Sequence, residues 1–277
     1  RMRADKLDFS GSDLRAIKAV RAVLRNCDLT DVVLDEADCT RLDCRNSLLV
    51  GTSLRQTELF RSDLRNVHLK NGVLVGTNLE RADMSGIDLS GQIFEQVNCC
   101  KTFFSKARLQ GVHFTDCRLQ HCFFDEADLE GAILMNADLR GADCSQANFR
   151  SADLRAVQAE RARFERSDCC RAHFEDAELD KAFFTHARLD RAVFSRARLT
   201  KSMLCYALCR GTFFPGARLD FADFSHADLT GADFRNARLH FCRMHRVKAL
   251  GVKWNGAELE TALPTDKQLQ AAEEWRC

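Results

Sequence analysis

The sequence predicts a solenoid rather than a globular domain, and three observations carry that reading. First, one five-residue phrase returns without interruption from Ala127 to Arg155: Ala127-Asp128-Leu129, Ala132-Ile133-Leu134, Ala137-Asp138-Leu139 and onward to Ala152-Asp153-Leu154. A period of five matches neither the helical 3.6 nor the strand period of two, so the chain turns a corner at regular intervals. Second, the phase never slips. An apolar residue, Leu or Phe at most places and never a polar one, occupies the positions ending in 4 or 9 from Phe9 to Leu259, and most often a small or β-branched one, commonly alanine, stands two residues before it. Third, composition sets the bounds: 277 residues, 45% hydrophobic and 29% charged, with a net charge of +1, a length that alone would permit one or two domains. No apolar run approaches the ~20 residues of a membrane span.

The phrase A-(D/N)-(L/F)-x-x resembles that of the pentapeptide-repeat family over nearly the whole chain. The resemblance implies an all-β fold, a right-handed quadrilateral parallel β-helix in which four pentapeptides make one 20-residue coil. At the usual strand spacing of ~4.8 Å this chain would stack about 12 to 13 coils. Two inward residues per pentapeptide, one large and one small, fill a narrow interior.

The elements follow in order. The repeat domain is expected over 7–263. Between Ser12 and Asn26 a helical face (Leu14, Ile17, Arg21, Leu24) competes with a first coil, and the coil is preferred because Ile17 and Ala22 fall in small-residue slots. Pro264 breaks the frame, so 264–277 is read as a tail. Thr265-Asp266 opens a short C-terminal capping helix there, with Leu269, Ala272 and Trp275 as an apolar edge. A homodimer contact through that tail is a further expectation.

Of 14 cysteines, ten fall in inward slots as compact fillers. This favours a reducing cytoplasm, for a chain used there or injected elsewhere by a secretion system. Cys100, Cys170, Cys205 and Cys277 are outward and are the candidate reactive thiols. Cys117, His121 and Cys122 do not make a metal site, since both thiols point inward, away from the histidine. His113, His121, His173, His186, His226, His240 and His245 fall on outward positions. No nucleophile, phosphate loop or metal motif is present, so neither an enzyme nor a cofactor is expected. The near-neutral charge argues against direct nucleic-acid binding.

Folding the sequence at 20 residues exposes two surface features. One is a basic ladder at Arg21, Arg41, Arg61, Arg81 and Lys101, continued by His121, Gly141, Arg161, Lys181 and Lys201. It reads either as a corner of ion pairs with Asp43, Asp63 and Asp83, or as a docking edge for an acidic surface or a phosphate-bearing partner. The other is apolar side chains in outward slots: Phe103 under Phe123, and a C-terminal group of Phe183, Val193, Met203, Leu208, Phe213 and Phe221. With Arg161, Lys181 and Lys201 this group is the expected protein-binding surface. The function expected is a protein–protein interaction scaffold, such as a secretion-associated effector or adaptor repeat domain. The alternative, implied by the family's quinolone-resistance members, is a DNA-mimicking gyrase-binding protein.

Overall fold

The computed structural model describes residues 2–274. Its organising contact is a parallel backbone bridge between each outward residue and the one twenty places on, running from Asp8↔Asp28 to Arg243↔Leu263. Short strands β1 (Arg3–Asp5) and β2 (Val23–Arg25) start the same ladder, in the register Arg3↔Val23. The Ser12–Asn26 stretch is therefore coil, with Leu14 N–H donating to the Val33 carbonyl at 2.8 Å.

The corners explain the period of five. Every position ending in 1 or 6, from Lys6 to Gly256, has φ between 51° and 72°. The next N–H then closes a turn onto the carbonyl three residues back, as Ala22 does onto Ala19 at 2.9 Å. Positive φ at the third residue is the signature of a type II turn. Glycine occupies only some of these corners; arginine, lysine, histidine and asparagine hold the same conformation elsewhere. Glycine at these positions is thus one way of meeting a demand that recurs every five residues. The aspartate of the phrase helps to meet that demand: Asp28 Oδ1 accepts from Thr30 N–H at 2.9 Å, an Asx turn that seals the corner.

Inside, the large slots stack by twenty and meet across the interior by ten. Phe164 and Phe184 are parallel at 4.9 Å, while Phe174 meets each edge-on at 5.9 and 6.0 Å. The small slots are not purely apolar. Thr52, Thr57, Thr77, Thr102 and Thr212 each donate a hydroxyl to the carbonyl 23 residues back. Cys117 and Cys122 do the same with their thiols, toward Phe94 and Cys99. These cysteines act as hydrogen-bonded stand-ins for threonine, which refines their reading as fillers.

Two rungs of the bridge ladder are absent, His68/Asp88 and Val73/Ile93. The N–H groups of Leu69, Leu74, Asp88 and Ile93 make no backbone hydrogen bond, and a cleft of about 590 Å³ opens between the two coils. The cause lies in the inward slots. Gly72 supplies no filler, and Leu69 Cδ1 would lie only 2.8 Å from a Cβ added there. Gln92 is too long and polar for the slot, and its Nε2 donates to the Gly72 carbonyl at 2.7 Å in place of a backbone rung. Amide exchange at Leu69 and Asp88 is expected to be at least about tenfold faster than at Leu64, which is bonded to Asp83 at 2.8 Å. Equal protection would close the cleft.

The chain leaves the solenoid after Leu263 and forms α1 (Lys267–Glu274). Asp266 caps it, its Oδ1 accepting from Gln268 and Leu269 N–H at 2.9 and 3.1 Å. Trp275 and Cys277 lie outside the described residues. No helix among those described is long and apolar enough to cross a membrane.

Candidate functional site

The basic ladder is one physical column. Asp43, Asp63 and Asp83 bridge in turn on the face beside it, and Arg61, Arg81, Lys101 and His121 line one shallow concavity together with Phe103 and Phe123. Gly141 ends this run: an added Cβ would sit 2.7 Å from His121 Nδ1, because the imidazole lies over it.

The ion-pair account of this corner is corrected. Asp43, Asp63 and Asp83 do not turn back to Arg41, Arg61 and Arg81. They are held from the other side of their face by Arg25, Arg45 and Arg65. Asp43 is 2.5 Å from Arg25 and 3.0 Å from Arg45; Asp63 is 3.2 Å from Arg45 and 2.7 Å from Arg65; Asp83 is 3.3 Å from Arg65. Burial raises the Asp43 pKa, but hydrogen bonds from Arg45 and Arg25 outweigh it and leave the carboxyl well below its ordinary range. The reason for the choice is the Asx turn. An aspartate whose Oδ1 points forward to the N–H two residues on also faces the side chain of that residue, here Arg45 or Arg65. Among the described residues Arg21, Arg41, Lys101, Arg161 and Lys181 make no ion pair, and Arg81 has only Glu80 at 3.9 Å.

The C-terminal apolar group is divided. Phe183 and Met203 bridge on the face beside Lys181 and Lys201, and Val193 and Phe213 bridge on another. Ten residues are half a coil, so Val193 and Phe213 lie across the solenoid from Phe183 and Met203, with Leu208 on the face between. A single patch over all six is thus replaced by a smaller one. Phe221 stacks on Phe241 at 5.1 Å and 14°, and Lys201 Nζ lies 5.7 Å from the Phe221 ring centre. Arg161, Lys181, Phe183, Lys201, Met203 and Phe221 therefore share one corner and its adjoining face.

Among the described residues the outward thiols Cys100, Cys170 and Cys205 are not activated. Cys170 is buried at 7% exposure, and burial with the Asp168 hydrogen bond pushes it up to about 11. Burial and the Asp223 charge push Cys205 up to about 12; burial, then Glu80, raises Cys100. A thiol that stays protonated at neutral pH is a poor nucleophile, so the expectation of reactivity at these three is withdrawn.

His245 is likewise not an outward surface group. It is buried at 7% exposure beside α1, where Glu273 approaches His226 and His245 at 3.4 Å each and Arg246 at 2.9 Å. His226, His245 and Glu273 form a trio of metal-ligand type, but the donors do not suit a metal. Asp266 N–H donates to His245 Nδ1 at 3.1 Å, which places the proton of the neutral ring on Nε2, the atom facing Glu273. The arginine beside Glu273 adds a competing cation. The trio is a clasp on the helix. His186, Tyr206 and His226 stack in a column that leads to it, at 4.9 and 4.5 Å.

The family model for pentapeptide repeats matches the chain in eight copies, from residues 8–38 through 214–248. The chain belongs to the pentapeptide-repeat family. No curated protein matches it. Among solved members of the family it is similar to HetL, a pentapeptide repeat protein involved in heterocyst differentiation regulation in the cyanobacterium Nostoc sp. strain PCC 7120. The identity is 25%, over 91% of each chain, with a TM-score of 0.36. It is also similar to QnrB1, a plasmid-mediated fluoroquinolone resistance protein, at 23% identity over 73% of this chain and 94% of that one, with a TM-score of 0.34. At those scores neither likeness bears on function. The family fits a parallel β-solenoid, and its members' functions differ, so function must be argued from the surface.

Proposed function

We propose that this chain is a non-enzymatic scaffold for protein–protein interaction, a right-handed solenoid of square section closed at one end by α1. Four turns per coil support the square, and the Glu273 clasp supports the cap. The observation that carries the function is the unpaired cation column. A protein that is neutral overall holds Arg161 and Lys181 without a carboxylate beside exposed apolar side chains, an arrangement that costs repulsion and returns nothing to the fold. Together with Phe183, Lys201, Met203 and Phe221 they form the contact surface. The setting is the cytoplasm, whose reducing chemistry suits the free thiols of the interior.

The gyrase-binding alternative is less favoured. The aspartates beside the ladder are neutralised by Arg25, Arg45 and Arg65, and the free charge there is positive. The test is affinity capture followed by mass spectrometry, with Lys181→Glu/Lys201→Glu and Val193→Asp/Phe213→Asp compared against the wild type. Loss of a partner with the first pair alone supports this surface; loss with the second pair alone moves the site across the solenoid. Inhibition of gyrase supercoiling by the wild type would replace the reading altogether.

A further inference from the structure

Midway along the ladder stands a second arrangement. Phe103 and Phe123 are exposed at 39% and 36%, bridged in register and stacked at 4.6 Å with 5° between their planes. Arg61, Arg81, Lys101 and His121 flank them, and the six side chains enclose a concavity of about 520 Å³. Little on the protein satisfies this wall. Asp63 and Asp83 are engaged by Arg45 and Arg65, Arg61 rests over the Phe60 ring at 5.2 Å, and Lys101 and His121 have no ion pair among the described residues.

The ring geometry decides what the wall recognises. The two rings stack on each other from coil to coil, so their faces point along the solenoid and their edges point out. Along the same column Asp83 stands next to Phe103 on one side and Asp143 next to Phe123 on the other, their backbones bridged. A nucleobase would need a ring face turned to solvent, whereas here the faces are turned toward the neighbouring coils. An aromatic edge carries partial positive charge and accepts apolar contact. Edges and cations together present a surface for carboxylates set beside an apolar side chain. The cations recur at the ~4.8 Å coil spacing, so the span from Arg61 to His121 is ~14 Å, which about four to five extended residues cover.

We infer that Arg61, Arg81, Lys101, His121, Phe103 and Phe123 form a binding site for an acidic, apolar-anchored peptide segment of another protein. The inference rests on the scaffold reading only for its biological sense. It is measured with a defined peptide, so failure of partner capture at Lys181 and Lys201 leaves it standing, and its own failure leaves that capture intact.

The experiment is fluorescence anisotropy on the full chain with a fluorescein-labelled hexapeptide of alternating glutamate and phenylalanine. Hexaglutamate, the lysine–phenylalanine counterpart and an oligothymidylate run beside it. Saturable binding of the first peptide is expected, weaker at high salt. The Kd should rise at least about tenfold in Arg81→Glu/Lys101→Glu and, independently, in Phe103→Ser/Phe123→Ser, and stay unchanged in Arg171→Glu. Melting curves establish that each variant is folded. Absence of saturable binding, equal binding of hexaglutamate, or equal binding of the oligothymidylate lost in the same variants would each overturn the inference.

Discussion

Phe184→Ala is expected to destabilise the solenoid by about 3–5 kcal/mol, the cost of deleting a fully buried phenylalanine. Its ring is stacked on Phe164 at 4.9 Å and meets Phe174 and Phe194 edge-on at 6.0 and 5.9 Å. Removing it strips one side from three other rings, and the coils above and below cannot collapse inward without breaking their own rungs. Phe183→Ala, one residue earlier on the half-buried outer face, is expected to cost less than about 1 kcal/mol. Urea titration of the two variants measures the difference. Equal losses would mean that inward and outward slots are not distinguished as described.

Acid is expected to unfold the protein over a narrow window. Asp13, Asp43, Asp153, Asp176 and Asp233 all have folded pKa values below the ordinary 3.8. Hydrogen bonds from Arg15, Arg155, Arg196 and Arg235 are the largest cause at four of them, while at Asp43 the arginine bonds outweigh burial. For such groups the unfolded chain binds more protons than the folded one. Their stabilisation is complete above the unfolded value and is lost as pH falls through the folded one, which for Asp13 is about 2. The Tm should therefore hold level from pH 7 to about pH 5. It should then fall between pH 4 and pH 2, with exposed pairs such as Asp13–Arg15 contributing little because solvent screens them. Circular dichroism melts across that range test it; a Tm that rose on acidification would reverse the sign of the whole carboxylate network.

Much of the proposed contact surface was legible in advance, because the coil register is carried by local chemistry. Once Arg61 and Arg81 are known to lie one above the other, the cation column follows. The cleft at Leu69 and Asp88 could also have been found: Gly72 and Gln92 depart from the small-residue slot, and two departures twenty apart fall on adjacent rungs. The partners chosen by Asp43, Asp63 and Asp83 are a different matter. Arg41 and Arg45 are each two residues from Asp43 in sequence, and only the direction of the Asx turn separates them.

The sequence by itself determined the coil, its register, the inward side chains and the columns, since a turn every five residues and an apolar slot beside it leave one way to bury the interior. Tertiary structure alone decided which charges are spent and which remain free, and that His245 is buried against α1. Those outcomes depend on rotamers and on distances between coils, and such distances exist only after the chain has closed on itself.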